Sequence, residues 1–257
     1  MENQSLFDLS GRVALVTGGS KGLGKAMARG FVQAGADVII SSRHKDELQQ
    51  ALVQILDGTN MKGTSIVADL TRRQEAVSLA RSALEEMGRV DILVNNAGAN
   101  IPAVIDEVRD SDWDRILELN LSSCMALTRA LVPQMKERRW GRVIHISSIM
   151  GLGGKASRNS YNATKHGLIG MAKANALDLG PYGITVNCIA PGPFWTDLPA
   201  SLLNDTQKQQ FAQRTALGRW GEANELIGPA LLLATEAGSY ITGETLVVDG
   251  GVMINTL

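Results

Sequence analysis

Short apolar runs rich in β-branched residues alternate with longer segments of helical periodicity, and this alternation constrains the fold more than any other feature. Seven runs predict strands, over Arg12–Thr17, Asp37–Ser42, Gly63–Val67, Asp91–Val94, Arg142–Ser147, Ile184–Ile189 and Thr245–Val248. Most are apolar throughout, as is typical of parallel strands buried on both faces. Between them, apolar spacings of three and four predict helices, over Leu23–Ala34, Asp46–Leu56, Arg73–Met87, Asp112–Lys136, Asn159–Leu179 and Glu222–Thr235. The chain is therefore expected to be an α/β protein, with a Rossmann-type, doubly wound parallel sheet flanked by helices on both faces.

The composition favours one domain and restricts the partners. Of 257 residues, 44% are apolar, which is enough for a large core. No linker-like segment or internal repeat divides residues 1–257, so we expect a single domain. The 25 basic and 26 acidic residues give no basic stripe for nucleic acid. No run approaches the ~18 apolar residues of a membrane span, and the first residues lack the basic region of a signal peptide. We therefore expect a cytoplasmic protein with no membrane partner.

The cysteines and histidines give no sign of a metal site. Cys124 and Cys188 lie in apolar stretches, where cysteine usually serves as a small core residue. The three histidines share no ligand spacing with cysteines or carboxylates. No metal is predicted.

A glycine-rich turn connects the first predicted strand to the first predicted helix. Three residues separate Gly18 from Gly22, and one residue separates Gly22 from Gly24. Such a turn lets the backbone approach a pyrophosphate at the helix N-terminus, although a plain strand–helix turn is the alternative. Its position favours dinucleotide binding. The contacts are predicted for Gly18, Ser20, Lys21, Gly22, Leu23 and Gly24.

The end of the second strand indicates which dinucleotide is bound. An acidic residue at this position holds the ribose 2′-hydroxyl of NAD, but here Ser42 is followed by Arg43. Arg43 is suited to pair with a 2′-phosphate, and Lys21 adds a second cation. The sequence therefore predicts NADP(H) in preference to NAD(H).

Asp69 and Leu70 follow the third predicted strand, at another point where the cofactor is expected. The Asp69 carboxylate can accept a hydrogen bond from the adenine amino group. Capping of the helix that follows, over residues 71–87, is an equally good interpretation.

Four polar residues form the candidate catalytic set. Tyr161 and Lys165 are four positions apart, which places them on one face of a helix. Ser148 ends a predicted strand, and Asn120 lies inside a predicted helix, where asparagine is a poor helix former. A phenol near an ammonium group can exchange a proton with a carbonyl oxygen, and a hydroxyl can hold that oxygen. This chemistry suits hydride transfer between an alcohol and a ketone.

The chain resembles the short-chain dehydrogenase/reductase family at motifs along nearly its whole length. The matching positions are the glycine turn, Asp69, Asn95-Asn96-Ala97-Gly98, Asn120, Ser148, Tyr161, Lys165, Pro191-Gly192 and Asp249-Gly250-Gly251. Within that family the chain is similar to gluconate 5-dehydrogenases and to 3-oxoacyl carrier-protein reductases.

The resemblance implies a role for each catalytic residue. Tyr161 would be the general acid and base, and Lys165 would bind the nicotinamide ribose and activate Tyr161. Ser148 would orient the substrate, and Asn120 would anchor a water in a proton relay to Lys165. Further cofactor contacts are implied for Asn96, Ala97, Gly98, Pro191, Gly192 and Thr196. The resemblance also implies a homotetramer, or a dimer, with faces formed by the two longest predicted helices.

The substrate pocket is expected beside a lid around residues 193–219. Phe194 and Trp195 would form an apolar wall, and Asn100, His145 and Met150 are further candidates. The segment Leu6–Gly18 is similar to that of enzymes acting on sugar acids such as gluconate. Such anions need cations, for which the candidates are Lys155 and Arg158, although both are equally typical of a solvated loop.

Two alternatives stay open. A 3-oxoacyl carrier-protein reductase would need a basic patch to dock its acidic carrier protein. Arg139 fits such a patch, but Tyr182 stands where a basic residue is expected. A broad ketone reductase is also compatible with the residues. A catalytically silent binding protein is a third class, but it would be expected to lack part of the catalytic set, which is complete here.

Overall fold

The structure, a computed structural model, describes residues 6–195 and 204–255. Seven strands form one parallel sheet in the order β3-β2-β1-β4-β5-β6-β9. These strands are β1 (Val13–Thr17), β2 (Asp37–Ser42), β3 (Gly63–Val67), β4 (Ile92–Asn95), β5 (Gly141–Ile146), β6 (Ile184–Pro191) and β9 (Thr245–Val248). The helices are α1 (Gly22–Gln33), α2 (Lys45–Leu56), α3 (Arg73–Met87), α4 (Asp110–Leu117), α5 (Ser123–Arg138), α6 (Asn159–Leu179), α7 (Asp205–Arg214) and α8 (Ile227–Ala234). The prediction of a doubly wound α/β sheet is confirmed.

The strand order reverses between β1 and β4, and this reversal positions the functional residues. From β1 the chain runs outward through β2 and β3 and then returns to β4 on the other side of β1. The connections after β1 and β4 diverge there and leave a crevice at the carboxyl edge of the sheet, where ligands of such folds bind. The glycine turn after β1 and the segment after β4 flank this crevice.

Helices cover both faces of the sheet, so its central strands are buried throughout. On one face, Leu79 of α3, Leu127 of α5 and Ile169 of α6 pack against the strands. On the other face, Phe31 of α1 and Leu48 of α2 do so, together with α8. This two-sided burial explains why the strand sequences are apolar at nearly every position.

The predicted helix Asp112–Lys136 is helical throughout, but it is not one regular α-helix. The segment consists of α4, a single π-helical turn over Glu118–Ser122, and α5. A π turn holds one more residue than an α turn and is often found at functional sites. The predicted helix Glu222–Thr235 is also divided, because a 3₁₀ turn over Ala223–Leu226 precedes α8.

Two short strands lie outside the main sheet. β7 (Phe194–Trp195) pairs with β8 (Gly221–Glu222), and the predicted lid segment lies between them. Gly221 is needed at this crossing, because a Cβ there would lie 2.9 Å from the Phe194 ring. Within residues 6–195 and 204–255, no helix is long and apolar enough to cross a membrane.

Candidate active site

Two adjacent cavities lie at the carboxyl edge of the sheet. The catalytic cavity has a volume of about 300 Å³ and is lined by Ser148, Tyr161 and Lys165. The loop cavity has a volume of about 420 Å³ and is lined by the glycine turn and the end of β2. The two cavities share four lining residues, Leu23, Asn96, Gly98 and Ala99.

Lys165 is held rigidly beside Tyr161. Its side chain is only 5% exposed, and Nζ donates a hydrogen bond of 2.7 Å to the carbonyl oxygen of Ile146. The ammonium nitrogen lies 5.4 Å from the centroid of the Tyr161 ring. Ser147 Oγ donates to the backbone carbonyl of Lys165 at 2.9 Å, which fixes α6 against the end of β5. The predicted pair therefore faces one cavity.

Ser148 lies two residues beyond β5, which ends earlier than predicted. Its Oγ accepts a hydrogen bond of 3.1 Å from the backbone N–H of Met150. Because Oγ is the acceptor in this bond, the hydroxyl proton can be donated into the cavity. The serine therefore presents a donor near Tyr161, as its predicted role requires.

Asn120 is buried in the π turn and does not line the catalytic cavity. Its Oδ1 accepts from Ala99 N at 2.9 Å, and its Nδ2 donates to Ala99 O at 2.9 Å and to Thr164 Oγ1 at 3.2 Å. The side chain thus holds the segment after β4, which forms part of both cavities. Its anchoring of a relay water stays a prediction.

The glycine turn requires residues without side chains at three points. Gly18 and Gly22 have φ values of +63° and +55°, a region that other residues seldom adopt. A Cβ on Gly24 would lie 2.5 Å from Asn96 Nδ2 and would overlap the carbonyl oxygen of Gly18. Asn96 Nδ2 donates to Thr17 O at 2.9 Å and to Gly18 O at 3.2 Å. Gly24 therefore lies beneath the turn rather than in the loop cavity.

The loop cavity fits a phosphorylated nucleotide. Ser41 Oγ and Ser42 Oγ are buried and have no hydrogen-bond partner among the described residues. Such hydroxyls suit a ribose or a phosphate, since a buried unpaired polar group is costly. Arg43 and Lys21 line the same cavity, although Lys21 Nζ also lies 3.7 Å from a carboxylate oxygen of Glu47.

Most of the predicted cofactor residues surround these two cavities. In the loop cavity are Gly18, Ser20, Lys21, Gly22, Leu23, Ser42, Arg43, Leu70, Asn96, Ala97 and Gly98. Pro191 and Gly192 line the catalytic cavity. Thr196 lies outside the described residues. Ser41 and Ala68 also line the loop cavity and were not predicted; their position at the ends of β2 and β3 is the signal that indicates them.

Asp69 is not among the residues lining either cavity. Its Oδ1 accepts from Thr71 N at 3.1 Å and from Thr71 Oγ1 at 2.8 Å, which closes the turn before α3. The helix begins at Arg73, so Asp69 is not its cap, and that interpretation is wrong. Burial would raise the pKa of this carboxyl, but the Thr71 hydrogen bonds and the charges of Arg43 and Arg72 lower it overall.

Three of the four predicted pocket residues, Asn100, Met150 and Phe194, line the catalytic cavity. Trp195 does not line it; its ring is 45% exposed and packs edge-on against Trp220, with centroids 5.4 Å apart. Trp220 does line the cavity, and sequence reasoning missed it because it lies one position beyond the predicted lid.

His145 does not face the pocket, contrary to expectation. It is fully buried, and its Nδ1 lies 3.1 Å from Asn95 Nδ2. Burial, and then the charge of Lys165, lower its pKa to about 4. The imidazole is therefore neutral at physiological pH and belongs to the core beneath Lys165.

The two cysteines are unpaired and buried. Burial raises the pKa of the Cys124 thiol to about 11 and that of Cys188 to about 12, so neither is a nucleophile at neutral pH. Across the described part of the chain, no three His, Cys, Asp or Glu residues are grouped so that they could hold a metal ion.

Comparison with known proteins agrees with this geometry. The model of the short chain dehydrogenase family matches residues 12–207. The chain is 32% identical to gluconate 5-dehydrogenase of Gluconobacter oxydans, over 99% of this chain and 100% of that protein. It is 39% identical to the 3-oxoacyl-(acyl-carrier-protein) reductase FabG of Salmonella typhimurium, over 95% of this chain and 98% of that protein.

Solved structures agree in fold as well. The gluconate 5-dehydrogenase of Burkholderia cenocepacia, in complex with NADP and tartrate, superposes with a TM-score of 0.91 at 32% identity and covers 98% of both chains. The 3-oxoacyl (acyl-carrier-protein) reductase of Agrobacterium tumefaciens, with NADP bound, gives 0.92 at 33% identity over 98% of both chains. The chain therefore belongs to the short-chain dehydrogenase family and is an oxidoreductase.

Proposed function

We propose that this protein interconverts a secondary alcohol and a ketone in a reaction that depends on NADP(H). The main support is that Ser148, Tyr161 and Lys165 line the catalytic cavity, which shares lining residues with the loop cavity. When bound across the two cavities, the nicotinamide cofactor supplies or accepts the hydride. The glycine turn, Ser42 and Arg43 would hold its adenosine end, and Lys165 its nicotinamide ribose.

The protein side chains handle the proton. Tyr161 would donate its hydroxyl proton to the substrate oxygen during reduction and take it back during oxidation. Lys165, fixed by its bond to Ile146 O, stabilises the negative charge that Tyr161 carries in between. Ser148 would donate a hydrogen bond to the same substrate oxygen and hold it against Tyr161.

Replacing the phenol hydroxyl tests this assignment. Tyr161→Phe should lower kcat by about 10²- to 10⁴-fold, because the proton donor is lost, while NADPH affinity changes little. Tyr240→Phe is the matched control, since Tyr240 is fully exposed. Turnover would be followed by NADPH absorbance and NADPH binding by fluorescence titration. Undiminished turnover in Tyr161→Phe would show that Tyr161 is not the proton donor. If the unmodified protein were inactive with every ketone, a catalytically silent binding protein would be favoured.

The preference for NADP(H) over NAD(H) is part of the proposal. No carboxylate follows β2 directly, and Arg43 lines the loop cavity there. The relatives from A. tumefaciens and B. cenocepacia, whose structures hold NADP, support this choice. We expect a higher kcat/KM with NADPH than with NADH, and Arg43→Ala should lower it for NADPH alone. Lys45→Ala, on the exposed first turn of α2, is the control; equal losses for both cofactors would contradict the proposal.

For the substrate we propose a sugar acid, in the gluconate/5-ketogluconate class. The relative from B. cenocepacia supports this class, since tartrate, a polyhydroxylated dicarboxylate, is bound in its structure. A 3-oxoacyl carrier-protein reductase is the second candidate, on the strength of the 39% identical relative. Against it, Arg139 Nη2 already donates to Pro181 O at 2.9 Å, beside Tyr182.

A substrate panel separates these candidates. NADPH consumption would be measured with 5-ketogluconate, an acetoacetyl thioester, and several cyclic and aryl ketones. We expect the highest kcat/KM with 5-ketogluconate. Activity confined to the thioester would establish the carrier-protein reductase instead, and comparable rates with all ketones would establish a broad reductase.

We further propose a cytoplasmic homotetramer of single-domain subunits, each with a lid around residues 193–219. Phe211 of α7 lines the catalytic cavity, which supports a lid in this part of the chain.

Leu177 of α6 is 81% exposed, which is unusual for leucine and supports a subunit contact on that helix. Sedimentation equilibrium should give the mass of four chains; a monomer would refute the assembly.

A further inference from the structure

Cations, and among the described residues no carboxylate, line the catalytic cavity. Lys155 and Arg158 both line it, and no aspartate or glutamate is among its lining residues in the described part of the chain. Arg214, on α7, is close enough to Lys155 for its charge to act there. Like charges repel one another, so such a cluster destabilises the empty cavity and favours an anion inside it.

Arg158 combines a buried, unpartnered donor with a position at the start of a helix. Its Nη1 is buried and has no hydrogen-bond partner among the described residues. It also stands directly before α6, a helix of 21 residues with no acidic residue in its first turn. The N-terminus of a helix carries partial positive charge, so a cation there is unfavourable on structural grounds alone. An anionic ligand would compensate both the guanidinium and the helix end.

The backbone around Arg158 is fixed in an unusual conformation. Ser157 has a φ of +62°, a region uncommon for residues other than glycine. Its carbonyl accepts from Ala103 N at 3.1 Å, and Ala103 O accepts from Asn159 Nδ2 at 3.1 Å. These bonds clamp the segment that carries Arg158 to the chain after β4. Strain that is held by its surroundings is typical of functional positions.

Lys155 reaches the cavity from the same loop and contacts the predicted lid. Its Nζ lies 4.5 Å from the centroid of the Phe211 ring on α7. Partial burial, followed by the charges of Arg158 and Arg214, lowers its pKa. Lys155 is thus a second cation of the cavity, and it links the loop to α7.

We propose that Arg158, assisted by Lys155, binds the carboxylate of the substrate and so determines its specificity. The inference rests on the proposed function, because the carboxylate would be held in the cavity where Tyr161 and Ser148 act on the carbonyl. It deepens that function by assigning the selection of anionic substrates to the guanidinium of Arg158, whose backbone segment is held by Ala103. Arg158 suits the task, since a guanidinium binds a carboxylate through two parallel hydrogen bonds.

The test compares two substrates that differ only in this charge. L-Sorbose is 5-ketogluconate with a hydroxymethyl group in place of the carboxylate. In the unmodified protein we expect a higher kcat/KM for 5-ketogluconate. Arg158→Gln should lower that value by about 10- to 100-fold, mainly through KM, and leave sorbose unchanged. Arg81→Gln, on the exposed face of α3, is the matched control.

Ligand affinity measured without turnover is a test that is independent of the kinetics. With NADPH present gluconate cannot be oxidised, so its affinity, and that of uncharged sorbitol, can be measured by calorimetry. Arg158→Gln should weaken gluconate binding at least about tenfold and leave sorbitol unaffected. Lys155→Gln should have a smaller effect in the same direction, and it serves if Arg158→Gln does not fold, as judged by circular dichroism.

The outcomes distinguish this inference from the proposed function. The carboxylate assignment would be overturned if Arg158→Gln lowered kcat/KM or affinity equally for the charged and uncharged compounds, or did not weaken gluconate binding. Wild-type protein that prefers sorbose, or a neutral thioester, would do the same. Failure of the proposed function would appear differently, as absence of turnover with every ketone while charge-selective gluconate binding persists.

Discussion

His145 couples the stability of the core to pH. Its pKa is about 4 in the folded chain against an ordinary value of 6.5, so between these values the unfolded chain binds a proton that the folded chain does not. Stability should therefore fall as the pH drops from 6.5 towards 4, by up to about 1.4 kcal/mol per pH unit from this residue. The measurement is the free energy of unfolding in urea at about pH 7 and about pH 5.

His145→Asn should reduce that pH dependence, because asparagine does not titrate. His166→Asn is the control, since His166 is exposed on α6 and its replacement should leave the dependence unchanged. If His145→Asn and the unmodified protein lost the same free energy between the two pH values, the histidine would not be the coupled group.

Gly24 is a residue at which a single methyl group should disrupt the glycine turn. In Gly24→Ala the Cβ would overlap Gly18 O and approach Asn96 Nδ2 to 2.5 Å. We expect weaker NADPH binding and a stability loss of about 1–3 kcal/mol from the forced backbone shift. Gly228→Ala, on α8, is the matched control, because nothing lies within 4 Å of its added Cβ. That variant should keep full affinity and gain up to about 1 kcal/mol from helix propensity.

Among the elements, the π turn depends on the Asn120 amide. The two hydrogen bonds to Ala99 satisfy both backbone groups of that residue. Asn120→Ala would leave them unpaired and should lower the free energy of unfolding by about 1–3 kcal/mol for each group. Asn120→Asp keeps the acceptor but loses the donor, so an intermediate loss is expected in the same urea titration. Full stability in Asn120→Ala would mean that the turn forms without this clamp.

The elements also show which structure could be predicted from the sequence. The central strands β1 and β4 were found because two-sided burial makes each an almost continuous apolar run. The π turn was not found, because the periodicity of α4 and α5 is continuous in sequence and the extra residue is stabilised by a distant partner, Ala99. β7 and β8 were missed because two residues are too few for any periodic signal.

The candidate site divides in the same way. Tyr161 and Lys165 were predicted to lie together because a four-residue spacing places them on one face of a helix, and Ser148 because it follows a strand; their roles were implied by the family resemblance. Trp195 was assigned to the pocket wall, but its side chain points elsewhere, because alternate residues of a strand face opposite sides. Trp220 was missed because it lies one position beyond the predicted lid, although it lines the cavity directly before β8.

At the scale of the whole molecule, Asp91 joins three parts of the fold. Its fully buried carboxylate accepts from Val13 N at 2.9 Å and from Arg89 Nη2 at 2.6 Å, and lies 3.7 Å from Arg138 Nε. It thus links the start of β1, the start of β4 and the end of α5. Asp91→Ala should cost about 1–3 kcal/mol, because the buried Val13 N–H loses its acceptor, while the partly exposed arginines stay hydrated.

The loss should appear as a lower melting temperature, by about 2–4 °C for each kcal/mol. Glu85→Ala removes an exposed ion pair of α3 and should change stability by less than about 1 kcal/mol, which makes it the control. Similar melting temperatures for the two variants would show that Asp91 does not join these elements energetically.

The wall shared by the two cavities has a consequence for how the ligands are taken up. Leu23, Asn96, Gly98 and Ala99 would each contact both the nucleotide and the substrate. If the bound nucleotide raises the affinity for the substrate, the bound substrate must raise the affinity for the nucleotide by the same factor, because linkage between two binding equilibria is reciprocal. With gluconate bound, the protein should therefore hold NADPH with a lower Kd than it does alone, which calorimetry would measure.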